Sequence, residues 1–185
     1  MMAPDTILAI DQGATSGWAL FQRGVYQASG VVKPRADPRL ENAERLRVAQ
    51  EAVRCAGGAD RLLVVFEDHG DISLSAKTRH DPRTRLGGPK VRKRVSRNAD
   101  TILGMGANKA RWEDRLDDCD CPERLRMKVT SETWRKVVLG MLNKRGTDAL
   151  KAAAVQYVHR ELRLLVSDHN ECEAICIGVW ACRFG

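Results

Sequence analysis

The period of the apolar positions changes several times along the chain, and each change predicts an element. "DTILAIDQ" (Asp5 to Gln12) is apolar without a break from Ile7 to Ile10, as expected of a strand covered on both faces. "GWALFQRG" and "VYQASGVVK" follow with a turn at Arg23-Gly24, predicting two more strands in an antiparallel meander. From Pro38 to Ala56, Leu40, Ala43, Leu46, Ala49, Val53 and Ala56 recur three or four apart, one helix face stopped by Gly57-Gly58. "RLLVVFEDHG" carries a second unbroken apolar run, Leu62 to Phe66, and predicts a central strand.

Helical spacing returns from about Asn98 to Leu116, and "LRMKV" (Leu125 to Val129) reads as a short strand. Ser131 is placed to cap the helix "ETWRKVVL", which stops at Gly140. Thr147 caps a longer helix with Leu150, Ala153, Ala154, Tyr157, Val158, Leu162 and Leu165 on its inner face. A last helix runs from near Asn170 to about Cys182. Three strands, a helix, a strand, a helix, a strand and further helices predict an α/β fold: a mixed sheet with helices on its faces. At 185 residues it is expected as a single domain spanning 1–185.

Residues 70–97 follow neither period and contain Pro82, Gly87, Gly88 and Pro89, so a mobile loop is expected there. Charge gives that stretch a meaning. From Lys77 to Arg97 there are nine Lys and Arg residues against one acid, Asp81, a surplus larger than the net +7 of the whole chain. The simplest account is a solvated basic loop; the one favoured is a segment that orders on a polyanion's phosphates. A hydrophobic content of 43% is enough for a proper core, and no apolar run approaches a membrane span of about 18–20 residues. A strand begins within the first few residues, leaving no room for a leader, so a cytoplasmic location is expected, in a bacterium or a phage-infected host. The six cysteines form no pair of C-x-x-C knuckles, which makes free thiols a better reading than structural zinc.

Both unbroken strands end in a carboxylate, Asp11 and Glu67. A lone acid after a strand is ordinarily turn chemistry, but two suggest a site. "SDHNECEAICIG" adds Asp168, Glu171 and Glu173, with His169 and Asn170 between them, and the three-residue spacing of Asn170 and Glu173 puts both on one face of a helix. If the first and fourth strands pair, these groups form an acidic pocket. Carboxylates crowded together repel, so such a pocket favours a hard divalent cation. Two such ions about 4 Å apart clamp an in-line phosphoryl displacement, which would reconcile an acidic pocket with a basic segment beside it.

In this order the motifs resemble those of the RuvC-type Holliday junction resolvases, especially their phage-encoded relatives, within the RNase H-like nucleases. "AIDQGATSGWAL" is similar to the first family motif, "VVFED" to the second, "NADTILGMGANKARWEDRL" and "VTSETWRKVVLG" to intervening segments, and "DHNECEAICIGVWA" to the closing acidic motif. The resemblance implies an RNase H-like fold with a mixed five-stranded sheet and helices on both faces. It makes Asp11 a bridge between two metal ions, with Glu67 on one and Glu173 on the other. Asn170 falls where the family has an acid or histidine, and Glu173 where it has a shorter aspartate. Either the longer glutamate changes the metal spacing, or Asp168 or Glu171 supplies the missing charge, Asp168 being the one favoured. The resemblance further implies Mg2+ or Mn2+, a homodimer presenting two sites, and hydrolytic resolution of four-way junctions and other branched DNA. DNA contacts are expected from Lys90, Arg92, Lys93, Arg94, Arg97, Arg135 and Lys136. Two other readings stand beside it. One is a branched-DNA binder with a degenerate site, supported by the neutral Asn170. The other is an actin-like or sugar-kinase ATPase fragment, suggested by "AIDQGATSG" but lacking a second acid-glycine loop.

Overall fold

The computed structural model describes residues 4–68, 94–140 and 147–184. The first strand, β1 (Thr6–Asp11), lies at the centre of a five-stranded sheet ordered β3-β2-β1-β4-β5. β2 (Ser16–Gln22) and β3 (Val25–Val32) extend it antiparallel on one side; β4 (Leu62–Asp68) and β5 (Arg126–Thr130) extend it parallel on the other. Among the described residues the α-helices are α1 (Pro38–Ala56), α2 (Arg94–Asp117), α3 (Ser131–Val138), α4 (Thr147–Arg160) and α5 (His169–Phe184). This is the expected α/β architecture with a mixed sheet.

The unbroken apolar strands have the predicted cause. Leu8, Ile10, Val64 and Phe66 pack with Val48, Ala49 and Ala52 of α1 and Trp112 and Leu116 of α2. Ile7, Ala9, Leu63 and Val65 pack on the other face against Trp134 of α3, Ala154 and Val158 of α4 and the buried run of α5. Because side chains alternate along a strand, Asp11 follows Ile7 and Ala9, and Glu67 follows Leu63 and Val65, onto the α5 face. Ile10 is opposite Phe66 in the parallel register, so the next residue on each strand is one of the two acids.

Helix α5 is buried from Cys172 to Val179, and two glycines permit its close approach to the sheet. A Cβ on Gly17 would stand 2.0 Å from the Asn170 carbonyl oxygen, and one on Gly178 would stand 2.2 Å from the Phe21 ring. Burial of Ile175 and Ile177 in this contact stabilises the fold by roughly 1.5–3 kcal/mol each.

Several boundaries depart from expectation. The inner face of α1 is not the one predicted from Leu40 and Ala43; it begins with Glu41 and Arg45 and continues through Val48, Ala49, Ala52 and Ala56. Charge is tolerated there because Arg45 Nη2 donates to Glu41 (2.6 Å) and to Asn108 of α2 (3.1 Å), with Trp112 beneath the guanidinium. Helix α2 begins at Arg94, so residues 94–97 belong to a helix rather than to the expected loop; residues 69–93 lie outside those described. The cap of α3 is Thr130, one residue before the expected Ser131. Helix α4 stops at Arg160, and Leu165, expected on its inner face, is fully exposed in the connection to α5.

Candidate active site

Asp11, Glu67 and Glu173 meet at the end of β1 and β4 beneath the first turn of α5, each no more than 4% exposed. Asp11 Oδ1 accepts from the Gly13 amide (3.3 Å), the usual tie of an aspartate turn. Burial holds the Asp11 carboxyl well above its usual range. The charges of Glu67 and Glu173 push it further, and the Gly13 hydrogen bond only partly opposes them. Burial raises Glu173 as well, against the pull of Arg135. Like charges held together in low dielectric are costly, and such a cluster calls for a cation.

Helix α3 provides one. Ser131, Trp134 and Arg135 are spaced i, i+3, i+4 and share one face. The Ser131 hydroxyl and the Trp134 indole Nε1 (2.9 Å) both donate to Glu67 Oε1. Arg135 Nη2 donates to Glu173 Oε1 at 2.7 Å and lies 3.9 Å from Glu67 Oε1, with its guanidinium 4.9 Å from the Trp134 ring centroid. Because Thr130 takes the capping role, the Ser131 hydroxyl is left to bond Glu67.

The turn after β1 is fixed from two sides. Gln12 Nε2 donates to the Glu67 carbonyl at 2.6 Å, tying the ends of β1 and β4 together. Asn108 Nδ2 donates to the Gly13 carbonyl at 2.8 Å, and Arg45 holds that amide's oxygen. At the start of α5, Asp168 Oδ1 accepts from the amides of Asn170 and Glu171 and from Asn170 Nδ2. That last bond turns the Asn170 amide so that its Oδ1 faces Gly13, where a Cβ would lie 3.8 Å from both Asn170 Oδ1 and Asp11 Oδ1.

The sequence-expected residues therefore separate into several groups. Asp11, Glu67, Asn170 and Glu173 are brought together. Asp168, expected as a supplementary ligand, uses Oδ1 as the cap of α5, and Glu171 turns away to accept from Ser29 of β3 at 2.6 Å. Arg135, expected on the DNA face, points into the acidic pocket, whereas Lys136 beside it is exposed. Lys90, Arg92 and Lys93 lie outside the described residues; Arg94 and Arg97 begin α2, with their side chains outside them. Ser131, Gln12 and Asn108 were not expected as site residues; for Ser131 the spacing along α3 was the available signal, and nothing in the sequence marks the other two.

The donor chemistry fits a hard divalent cation: carboxylate and amide oxygens, raised carboxyl pKa values, and, among the described residues, no thiol or imidazole in the cluster. Their present orientations do not close a ligand set. Among the described residues, no three Asp, Glu, His or Cys side chains are placed to share one metal ion. Glu67 and Glu173 are instead engaged by α3.

The raised carboxyls have a consequence for stability. The folded state holds these protons at pH values where the unfolded chain has released them. Their favourable contribution is complete below the ordinary carboxylate pKa of about 4 and is lost as pH climbs through the raised values. Metal-free protein is expected to melt at falling temperature as pH rises from about 4 toward neutrality. Asp11→Asn should flatten that profile and raise the melting temperature at pH 7. Scanning calorimetry in chelator checks this, and parallel profiles for the two proteins would count against it.

The fold is RNase H-like. Solved structures of Thermus thermophilus RuvC share it: one in complex with a Holliday junction substrate superposes with a TM-score of 0.58 at 10% identity, covering 94% of this chain and 90% of that one. A second T. thermophilus RuvC structure gives a TM-score of 0.55 at 11% identity over 94% of this chain and 91% of that one. No protein-family model matches the sequence, and no curated protein matches it. The likeness is one of fold. None of the helices, among the described residues, is long and apolar enough to cross a membrane.

Proposed function

We propose that the protein is a metal-dependent endonuclease acting on branched DNA, with four-way junctions as its principal substrate. The observation that carries this reading is the joint burial of Asp11, Glu67 and Glu173 at the ends of two interior strands and the start of α5, where their like charges oppose one another. In this reading Asp11, Glu67 and Glu173 hold Mg2+ or Mn2+, with the Asn170 amide oxygen beside them. Bound divalent metal would activate water and neutralise charge on the phosphodiester.

The remaining residues orient and balance. Gly13, Gln12 and Asn108 fix the Asp11 turn. Ser131 and Trp134 set the Glu67 carboxylate. Asp168 positions Asn170 by capping α5. Lys136 and the basic residues 90–97 would meet the DNA backbone, and a homodimer would present two sites to the two strands cut in a junction. The likeness to RuvC bound to a junction supports this substrate class at the level of fold.

The test is cleavage of an end-labelled four-way junction with Mg2+ or Mn2+, compared with a linear duplex of the same sequence. Metal-dependent incision of the junction in preference to the duplex is expected. Binding without incision at any metal concentration would favour the non-catalytic reading, for which the neutral Asn170 is the supporting residue.

Neutralising Lys90, Arg92, Lys93 and Arg94 together should weaken binding to junctions of every sequence. It should also flatten the log–log salt dependence by about 0.9 for each DNA phosphate that is no longer neutralised. A salt titration by fluorescence anisotropy measures the slope, and an unchanged slope would remove this segment from the interface.

A further inference from the structure

Arg135 has a place in the site that DNA binding alone does not explain. Its guanidinium lies between two carboxylates: Nη2 is 2.7 Å from Glu173 Oε1 and 3.9 Å from Glu67 Oε1, and the side chain is 16% exposed. Trp134 packs against it, and its Nε is buried without a hydrogen-bond partner among the described residues. A guanidinium used only to reach phosphate would extend into solvent, where its fork could form paired bonds to an anion. Arg135 instead spends one Nη on Glu173 and leaves its Nε unsatisfied. That arrangement is reasonable if its main task is to neutralise Glu67 and Glu173.

We propose that Arg135 is a built-in counter-cation of the acidic pocket, occupying the space between Glu67 and Glu173 and competing there with a divalent metal ion. The inference rests on the nuclease reading above. It explains why the carboxylates are gathered yet present no closed ligand set: the positive charge that would draw them onto one ion is supplied by α3. Metal entry requires Arg135 to leave Glu173, and the guanidinium released at the pocket mouth is then available to a phosphate. Arg135 acts through the carboxylates, as a positioning residue, and couples the metal-free and metal-bound states of the site.

Competition between two cations for the same carboxylates is a coupling free energy, so removing one should tighten the other by roughly 5- to 150-fold. The experiment titrates full-length protein with Mn2+ alone, reading free Mn2+ by electron paramagnetic resonance. Arg135→Gln should bind Mn2+ more tightly than wild type by a factor in that range, Arg135→Lys should remain near wild type, and adding Glu173→Gln to Arg135→Gln should abolish the gain. In chelator, Arg135→Gln should melt lower than wild type and recover more on adding Mn2+, because buried carboxylates left unpaired are destabilising.

A wild-type measurement covers the case in which the variant does not fold. The Arg135 guanidinium signals in 15N NMR should be protected in metal-free protein and should shift and lose protection as Mg2+ saturates the site. Equal Mn2+ affinity in folded Arg135→Gln and wild type, or Arg135 signals unmoved by saturating Mg2+, would overturn the proposal and leave the nuclease reading intact. Absence of Mn2+ binding by every protein would overturn both.

Discussion

Asp11→Asn is expected to reduce metal-dependent junction cleavage by about a thousandfold, or ~4 kcal/mol of barrier, while leaving junction binding within a few-fold of wild type. The substitution is nearly isosteric and removes a charge from the most crowded point of the site, where Glu67 and Glu173 already disfavour ionisation. An amide retains the Gly13 hydrogen bond but is a much weaker partner for a hard cation. Structure should therefore survive; because the raised carboxyl no longer has to ionise, the variant should even be the more stable protein at neutral pH. Loss of cleavage together with gained stability distinguishes a functional acid from a turn residue, whose replacement would destabilise and leave activity alone. Single-turnover cleavage, binding anisotropy and a thermal melt of the same two proteins supply all three readings. Cleavage within tenfold of wild type would remove Asp11 from the chemistry.

Gly17→Ala should be the most damaging single methyl group in the described part of the chain. The added carbon would stand 2.0 Å from the Asn170 oxygen and 2.4 Å from its carbonyl carbon, both backbone atoms of α5 that cannot rotate away. Overpacking of this kind costs typically 1–3 kcal/mol, and a backbone clash belongs at or above the top of that range. At about 3 kcal/mol, the melting temperature should fall by roughly 6–12 °C for a chain of this size. Relief requires the start of α5 to move off β2, taking Asn170 and Glu173 from Asp11, so metal binding should weaken along with stability. Gly106→Ala is the control. Among the described residues, nothing beyond the helix's own adjacent backbone lies within 4 Å of its Cβ position, which is exposed on α2, and alanine there should be neutral or stabilising by up to about 1 kcal/mol. Equal stability of the two alanine variants would show that α5 does not seat on Gly17.

How far the sequence discloses this arrangement follows from the range of the interactions involved. β1 and β4 are legible because strands covered on both faces need unbroken apolar runs, and the acids ending them stand out against that background. Strand parity then selects their face without knowledge of any partner. The inner face of α1 is not legible, because Glu41 and Arg45 read as solvent positions until Asn108 and Arg111 arrive from α2. The end of α4 is misjudged for the converse reason. Leu162 and Leu165 continue the helical spacing, but the chain turns after Arg160 and passes through a left-handed Arg163 on its way to α5. Within the site, the acids could be named from the sequence and their neutralisation could not. Ser131 and Arg135 meet Glu67 and Glu173 across 64 and 38 residues, and only the packed sheet brings them together.

The central claim is that Asp11, Glu67 and Glu173 were gathered to hold a divalent metal ion. It is tested most directly by an anomalous difference map from a crystal of the wild-type protein soaked in Mn2+. The expected result is a peak touching the Asp11 carboxylate, with Glu67 and Glu173 oxygens drawn to it and Arg135 displaced from Glu173. A fully occupied Mn2+ site elsewhere, with Arg135 still bridging the two glutamates, would contradict it.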